Sequence, residues 1–319
     1  MRPIVLALAI LATVGVANAQ EFPSRPITML IGLAPGGVSD LMGRVYADAV
    51  SRISGQKVVV ENRPAASGAV AASALQNAAP DGYTLLLFSI AQHATIPAMS
   101  ETAPYDPING MQQITKLFNV ATVLVVPVES PVKSISDLQA FAKQRPAGVT
   151  FGSPGVGTPS HLLGANIMGA LGVHAEYAHY RGGAPMMADL LSGRLDVAVL
   201  STPLARPYLL EKKLRALALD APARWSAIPE TPTLTELGLG AATVPGWFGI
   251  GSAPNTPKPI VDRLHTLFIA AAKDQTVLDR IEANGLAVVT SGPDETRTEM
   301  VAESQKIGAL VKKLGLRKQ

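Results

Sequence analysis

Three stretches of the chain set glycine and proline where a strand pattern gives way to a helix pattern. They are Ala34-Pro35-Gly36-Gly37-Val38-Ser39, Ser153-Pro154-Gly155-Val156-Gly157-Thr158-Pro159-Ser160 and Arg181-Gly182-Gly183-Ala184-Pro185. The chemistry open to such stretches is that of the main chain. Glycine lets the backbone approach a small molecule closely and take dihedrals that other residues resist. The helix start behind it offers N–H groups without an intrahelical partner and the positive end of the helix dipole. This combination suits an anion, a carboxylate above all. A phosphate cradle ordinarily adds a Lys or Arg clamp, for which Arg181 is the one candidate.

The residue types that make and break bonds are not arranged for it. No Gly-Lys pair exists to build a P-loop, and Gly152-Ser153-Pro154-Gly155 has the wrong spacing for a nucleophile elbow. The five histidines, His93, His161, His174, His179 and His265, form no His-x-x-x-His or His-Glu-x-x-His pair, so no zinc site is expected. Asp189 and Asp196 are separated by the helix-ending Gly193-Arg194 and read as structural acids. There is no cysteine, which excludes thiolate nucleophiles, disulfides and a lipid anchor on cysteine. The pattern favours binding by backbone N–H groups, hydroxyls and water over catalysis. A secreted hydrolase acting on an anionic substrate and a ligand-sensing subunit for a membrane kinase are the alternatives.

The elements that position these turns alternate. Ile27–Leu33 reads as a buried strand, Ser39–Ser54 as a helix, Lys57–Glu61 as a strand, Ala69–Ala79 as a helix and Thr84–Phe88 as a third strand. Strand-helix alternation predicts a parallel sheet with helices on both faces, and ligands then sit beyond the carboxyl ends of the strands. The loop Ser89-Ile90-Ala91-Gln92-His93 falls at the same rim as Ala34–Ser39, which makes Ser89 and His93 candidate ligand residues. The β-rich run Val120–Pro127 reads as a first crossover to a second lobe, and Val244–Ile250 as the return strand. Within the second lobe, strands are expected at Val149–Gly152, Tyr177–Tyr180, Leu195–Leu200 and Leu214–Asp220, and a short helix at Pro232–Leu237. Three C-terminal helices, from about Pro259, Thr276 and Asp294, are expected to pack on lobe one.

Composition fits this reading. The chain has 319 residues, 48% hydrophobic and 16% charged, enough for two cores rather than one. Net charge is +3, yet no basic run occurs and aromatics are only 5%, which argues against a nucleic-acid surface. Met1-Arg2-Pro3, the apolar Ile4–Val16 and the small-x-small Ala17-Asn18-Ala19 have the pattern of a secretory signal peptide, cleaved after Ala19. The predicted division is 1–19 signal peptide, 20–123 and 246–319 lobe one, and 124–245 lobe two.

Many short motifs in register resemble one family. Ala34-Pro35-Gly36-Gly37-Val38-Ser39-Asp40 with Arg44, Val60-Glu61-Asn62-Arg63-Pro64 and Ala79-Pro80-Asp81-Gly82-Tyr83-Thr84-Leu85-Leu86 begin the match. Tyr105-Asp106-Pro107, Gly155-Val156-Gly157-Thr158 with Ser160-His161-Leu162, Tyr180-Arg181-Gly182-Gly183-Ala184-Pro185 and Pro232-Thr233-Leu234 continue it. The chain thus resembles the Bug family, the periplasmic solute receptors of tripartite tricarboxylate transporters. The resemblance implies a two-lobed α/β fold of the Venus flytrap kind. Each lobe would be a mainly parallel sheet flanked by helices, joined by two crossover strands. It implies a small organic carboxylate held by main-chain amides, hydroxyls and ordered water, without cofactor, metal or catalysis. Carried over by position, the ligand residues are Pro35, Gly36, Gly37 and Ser39 in lobe one, and Gly155, Gly157, Thr158, Ser160, Gly182 and Gly183 in lobe two. The implied partners are the permease subunits of the transporter, and the receptor itself is expected to be a periplasmic monomer.

Overall fold

Ile27–Ile31 (β1) lies between two parallel neighbours and buries both its faces, which is why it reads as an unbroken apolar run. The computed structural model describes residues 22–316 apart from 66, 67, 101, 103, 181, 182 and 245. The expected signal peptide with its cleavage after Ala19, as well as Arg181 and Gly182, lies outside the described residues. In the first sheet β1 pairs with β2 (Val58–Asn62) and β3 (Thr84–Ser89). Beyond β3 come β10 (Trp247–Ser252), β4 (Gln112–Val120) and β11 (Leu286–Val288), giving the order β2-β1-β3-β10-β4-β11. The second sheet has the order β7-β6-β8-β5-β9, from Ala175–His179 (β7), Val149–Ser153 (β6), Val197–Ser201 (β8), Thr122–Pro127 (β5) and Leu214–Asp220 (β9).

Both sheets are mixed, which corrects the expectation of mainly parallel ones. β10 is antiparallel to β3 and β4, and β5 is antiparallel to β8 and β9. The reason is where the crossover strands enter. β4 runs up to the rim of its sheet, and one residue, Ala121, separates it from β5. The chain therefore enters the second sheet at its rim and must run away from it, against the strands of the strand-helix units.

The first sheet is covered on one face by α1 (Val38–Ser54), α8 (Lys258–Ala272) and α9 (Gln275–Ala283), around Tyr46, Phe118 and Phe268. Its other face packs against α2 (Ala69–Gln76). The second sheet lies between α4 (Ile135–Lys143) with α5 (Pro159–Leu171) and α6 (Gly183–Leu191) with α7 (Thr202–Leu210).

Two segments join the halves. After β3 the chain forms a π-helical turn, Ala91–Thr95, continued by α3 (Ile96–Met99), and Ile90 and Ala94 are buried in the second sheet's core. The long helix α10 (Pro293–Lys313) buries Met300 in the first sheet's core, whereas Ile307, Leu310 and Val311 enter the core of the second. The expectation that the C-terminal helices pack on lobe one alone therefore fails for the second half of α10. Pro232–Leu237 is a turn rather than a helix, tied down by a bridge between Thr233 and Leu219.

Candidate functional site

The loop after β1 is exposed from Leu33 to Gly37, with Pro35 at its tip. Gly36 has φ +84°, and its N–H donates to Asp40 Oδ2 at 2.9 Å. Asp40 is ion-paired with Arg44 at 2.9 Å; Arg44 also donates to Asn62, whose amide reaches the Leu33 carbonyl. This network fixes the loop over the helix end. Burial alone would raise the Asp40 carboxyl, but hydrogen bonds from Arg44, the Gly36 amide and Asn62, with the Arg44 charge, hold it below its ordinary value. The N-cap of α1 is Gly37, with no side chain to cap the first-turn amides. Ser39, in that first turn, is 2% exposed, and its hydroxyl has no hydrogen-bond partner.

At the end of β3, Ser89 is committed to the fold. Its N–H and hydroxyl both donate to Gln92 Oε1, at 2.9 and 3.1 Å. A Cβ on Gly68 would stand 2.1 Å from Gln92 Nε2, so glycine there lets that amide tuck in. His93 is fully buried between the Ser89 carbonyl (3.1 Å) and Glu303 Oε2 (2.9 Å), and its ring stacks on Trp247 at 5.1 Å. Trp247 Nε1–H donates to the same Glu303 at 2.8 Å. His93 is thus a bolt between the π turn and α10, and neither ring nitrogen is presented to a ligand.

On the second lobe Thr158 caps α5: its Oγ1 accepts from the His161 N–H at 3.3 Å and donates to the Gly155 carbonyl at 2.8 Å. The Gly157 N–H donates to His161 Nδ1 at 3.0 Å. Burial, with the neighbouring His179, lowers the His161 pKa to about 4, so the ring is neutral and able to accept that bond. Ser160 is half-buried in the first turn of α5 with no local hydrogen bond to its hydroxyl. Gly183 opens α6, where a Cβ would lie 2.6 Å from Leu204. The amides of Gly36 and Gly157 are therefore spent inside their own loops. What the rims offer is the uncapped start of α1, the Ser39 and Ser160 hydroxyls and the glycine backbone around them.

The two halves meet at Gly157. A Cβ there would stand 2.1 Å from Met99 Sδ and 3.4 Å from Thr95 Cγ2. Thr95 is 3% exposed, and its hydroxyl too has no partner. Thr95, Met99 and Gln92 were not visible as site residues in the sequence, because a π turn has no composition or spacing of its own.

Residues 42–316 match the family described as tripartite tricarboxylate transporter family receptor. The chain belongs to that receptor family. It is 30% identical to protein BugT of Bordetella pertussis over 96% of this chain and 95% of that protein. Among solved structures it is similar to R. palustris Rpa4515 with adipate, at 29% identity and TM-score 0.82, covering 92% of this chain and 99% of that one. MatC from Rhodopseudomonas palustris with bound malate is similar at 25% identity and TM-score 0.78, covering 91% of this chain and 100% of that one. The structure of periplasmic binding protein BugD is similar as well, at 29% identity and TM-score 0.80, covering 93% of this chain and 100% of that one.

The receptor also has a cavity of about 780 Å³ where the crossover strands meet, and none of the eleven expected ligand residues among the described ones lines it. Its wall carries Asp220, Glu282, Glu299 and Glu303 against Lys116 and Arg224. Lys116 is paired with Glu299, and Arg224 is held by Glu236 at 3.0 Å. Burial raises the Asp220 pKa to about 6, against a Val244 N–H bond and the Lys306 charge, which lower it. A carboxylate is the wrong charge for such a wall, whereas the glycine rims carry no comparable excess of acid. No group of His, Asp and Glu suited to hold a metal ion occurs among the described residues.

Proposed function

We propose that this receptor captures a small carboxylate between the Pro35–Ser39 and Gly155–Ser160 rims and delivers it to the membrane permease subunits of a tripartite tricarboxylate transporter. The observation that carries this reading is the uncapped, glycine-opened start of α1 with the buried, partnerless hydroxyl of Ser39 in its first turn. Free amides and hydroxyls at a helix N-terminus bind an anion without a buried cation. The adipate and malate in two related receptors are acids of this class. Lobe one would comprise 20–123 and 246–319 and lobe two 124–245, with Gly182 and Gly183 completing the second rim. Ala17-Asn18-Ala19 would be the export cleavage site, leaving a periplasmic monomer that begins at Gln20. A thermal-shift screen of the mature protein against small mono- and dicarboxylates, followed by calorimetry on each hit, tests the proposal. Stabilisation by at least one acid and by none of the matched neutral amides is the expected result; an acid panel without effect overturns it.

A further inference from the structure

Threonine inside a helical turn ordinarily satisfies its hydroxyl on a carbonyl one turn back. This chain follows the rule elsewhere: Thr266 donates to the Asp262 carbonyl at 2.9 Å, Thr298 to Asp294 at 2.9 Å and Thr296 to Gly292 at 2.8 Å. Thr95 does not. In the π turn the Ile96 N–H reaches five residues back to the Ala91 carbonyl, which is the acceptor Thr95 would have used. The Thr95 hydroxyl is left buried, with no partner, at the seam where Gly157 approaches. A buried hydroxyl without a partner is costly and so is worth explaining. π turns occur frequently at functional sites.

We infer that Thr95 is a ligand-contact residue whose Oγ1–H donates to a carboxylate oxygen of the captured solute, alongside the Ser39 hydroxyl. Both hydroxyls are nearly fully buried and both lack partners. They belong to the segments that follow β1 and β3, adjacent parallel strands paired at Ile31 and Leu87. A carboxylate accepts hydrogen bonds and cannot donate them, so each hydroxyl takes the donor role. The inference rests on the carboxylate reading proposed above and adds to it a residue from outside the glycine turns. Gly157 lies against the methyl of the same side chain, where a Cβ would stand 3.4 Å from Thr95 Cγ2, and the solute completes the hydrogen bonding of the hydroxyl.

The test uses the full mature chain as wild type, Thr95→Val and Thr95→Ser, with calorimetry against a panel of small carboxylates that includes malate and adipate. Valine keeps the shape and removes the donor; serine keeps the donor. Thr95→Val is expected to weaken the best acid by about tenfold or more, equivalent to about 1.4 kcal/mol, with an unliganded melting temperature equal to or above wild type. Thr95→Ser is expected to stay within about threefold of wild type on the same scale. If Thr95→Val binds as wild type does, the inference is overturned while the receptor reading stands. A lower unliganded melting temperature in Thr95→Val with unchanged affinity assigns the hydroxyl to the fold and overturns it equally. Wild type binding no acid in the panel overturns the carboxylate reading and the Thr95 role with it.

Discussion

Gly157→Ala separates two reasons for glycine at one position. The residue has φ +72°, where an L side chain costs about 1–2 kcal/mol. That strain is local to the loop, so it lowers stability whether the halves are together or apart. The new methyl would also stand 2.1 Å from Met99 Sδ, across the seam. Met99 belongs to the segment after β3 that packs against the core of the second sheet, so the methyl works against that docking and against the rim Gly157 helps to build, and hence against affinity. Overpacking of this kind costs about 1–3 kcal/mol, less when the neighbour is a flexible methionine. At about 1.4 kcal/mol per tenfold, an affinity loss of roughly 5- to 100-fold follows. Met99→Ala removes the obstruction but not the strain. Calorimetry on the best-binding acid is therefore expected to show Gly157→Ala weakened and the Gly157→Ala, Met99→Ala pair close to Met99→Ala alone. The melting temperature of the pair stays about 2–6 °C below that of Met99→Ala, from the backbone strain. Equal affinity losses with and without Met99 would refute the claim that the seam is what Gly157 serves.

The buried, neutral His161 makes stability fall as the medium is acidified. Its folded pKa lies near 4 against an ordinary 6.5, so the unfolded chain binds more protons between those values, and up to about 3 kcal/mol is lost across that window; denaturant titrations should show a flatter profile for His161→Gln. Asp220 acts in the opposite sense. With its folded pKa raised to about 6 from 3.8, it favours the fold below pH 4 and that contribution disappears as pH rises through 6. Asp220→Asn, which can still accept the Val244 N–H, should therefore gain most over wild type above pH 6 and little at pH 4, read as melting temperature against pH. His93→Ala removes the bolt between the π turn and α10 and leaves Glu303 short of a partner. A loss of about 3–5 kcal/mol in chemical denaturation is expected, and a loss of affinity at unchanged stability would instead place His93 at the ligand.

Most strand-helix units were legible because their apolar runs are short, continuous and bounded by Gly, Pro or Asp. The paired directions were not. Val120–Pro127 has the same apolar pattern whichever way it runs, so only its direct descent from β4 reveals an antiparallel neighbour in the second sheet. β4 itself escaped notice because Gln113, Thr115 and Lys116 interrupt its apolar pattern, although all three are buried in the sheet. At the site, the glycine turns were visible as main-chain features. Which of their amides remain free was not, since that depends on the partners Asp40 and His161 supply. Thr95 lay within a segment that looks like a plain loop, and its unmet hydroxyl follows from one extra residue in a helical turn.

Helix α10, the second of the segments that join the halves, limits what kind of motion is open to them. Undocking Ile307, Leu310 and Val311 would expose three large apolar side chains, at about 1.5–3 kcal/mol each. That sum, roughly 5–9 kcal/mol, rivals the entire binding free energy of a micromolar solute, about −8 kcal/mol. A wide gape that tears the helix free would consume what the solute supplies. The inexpensive path keeps those side chains seated and turns one half about the long helix as an axle.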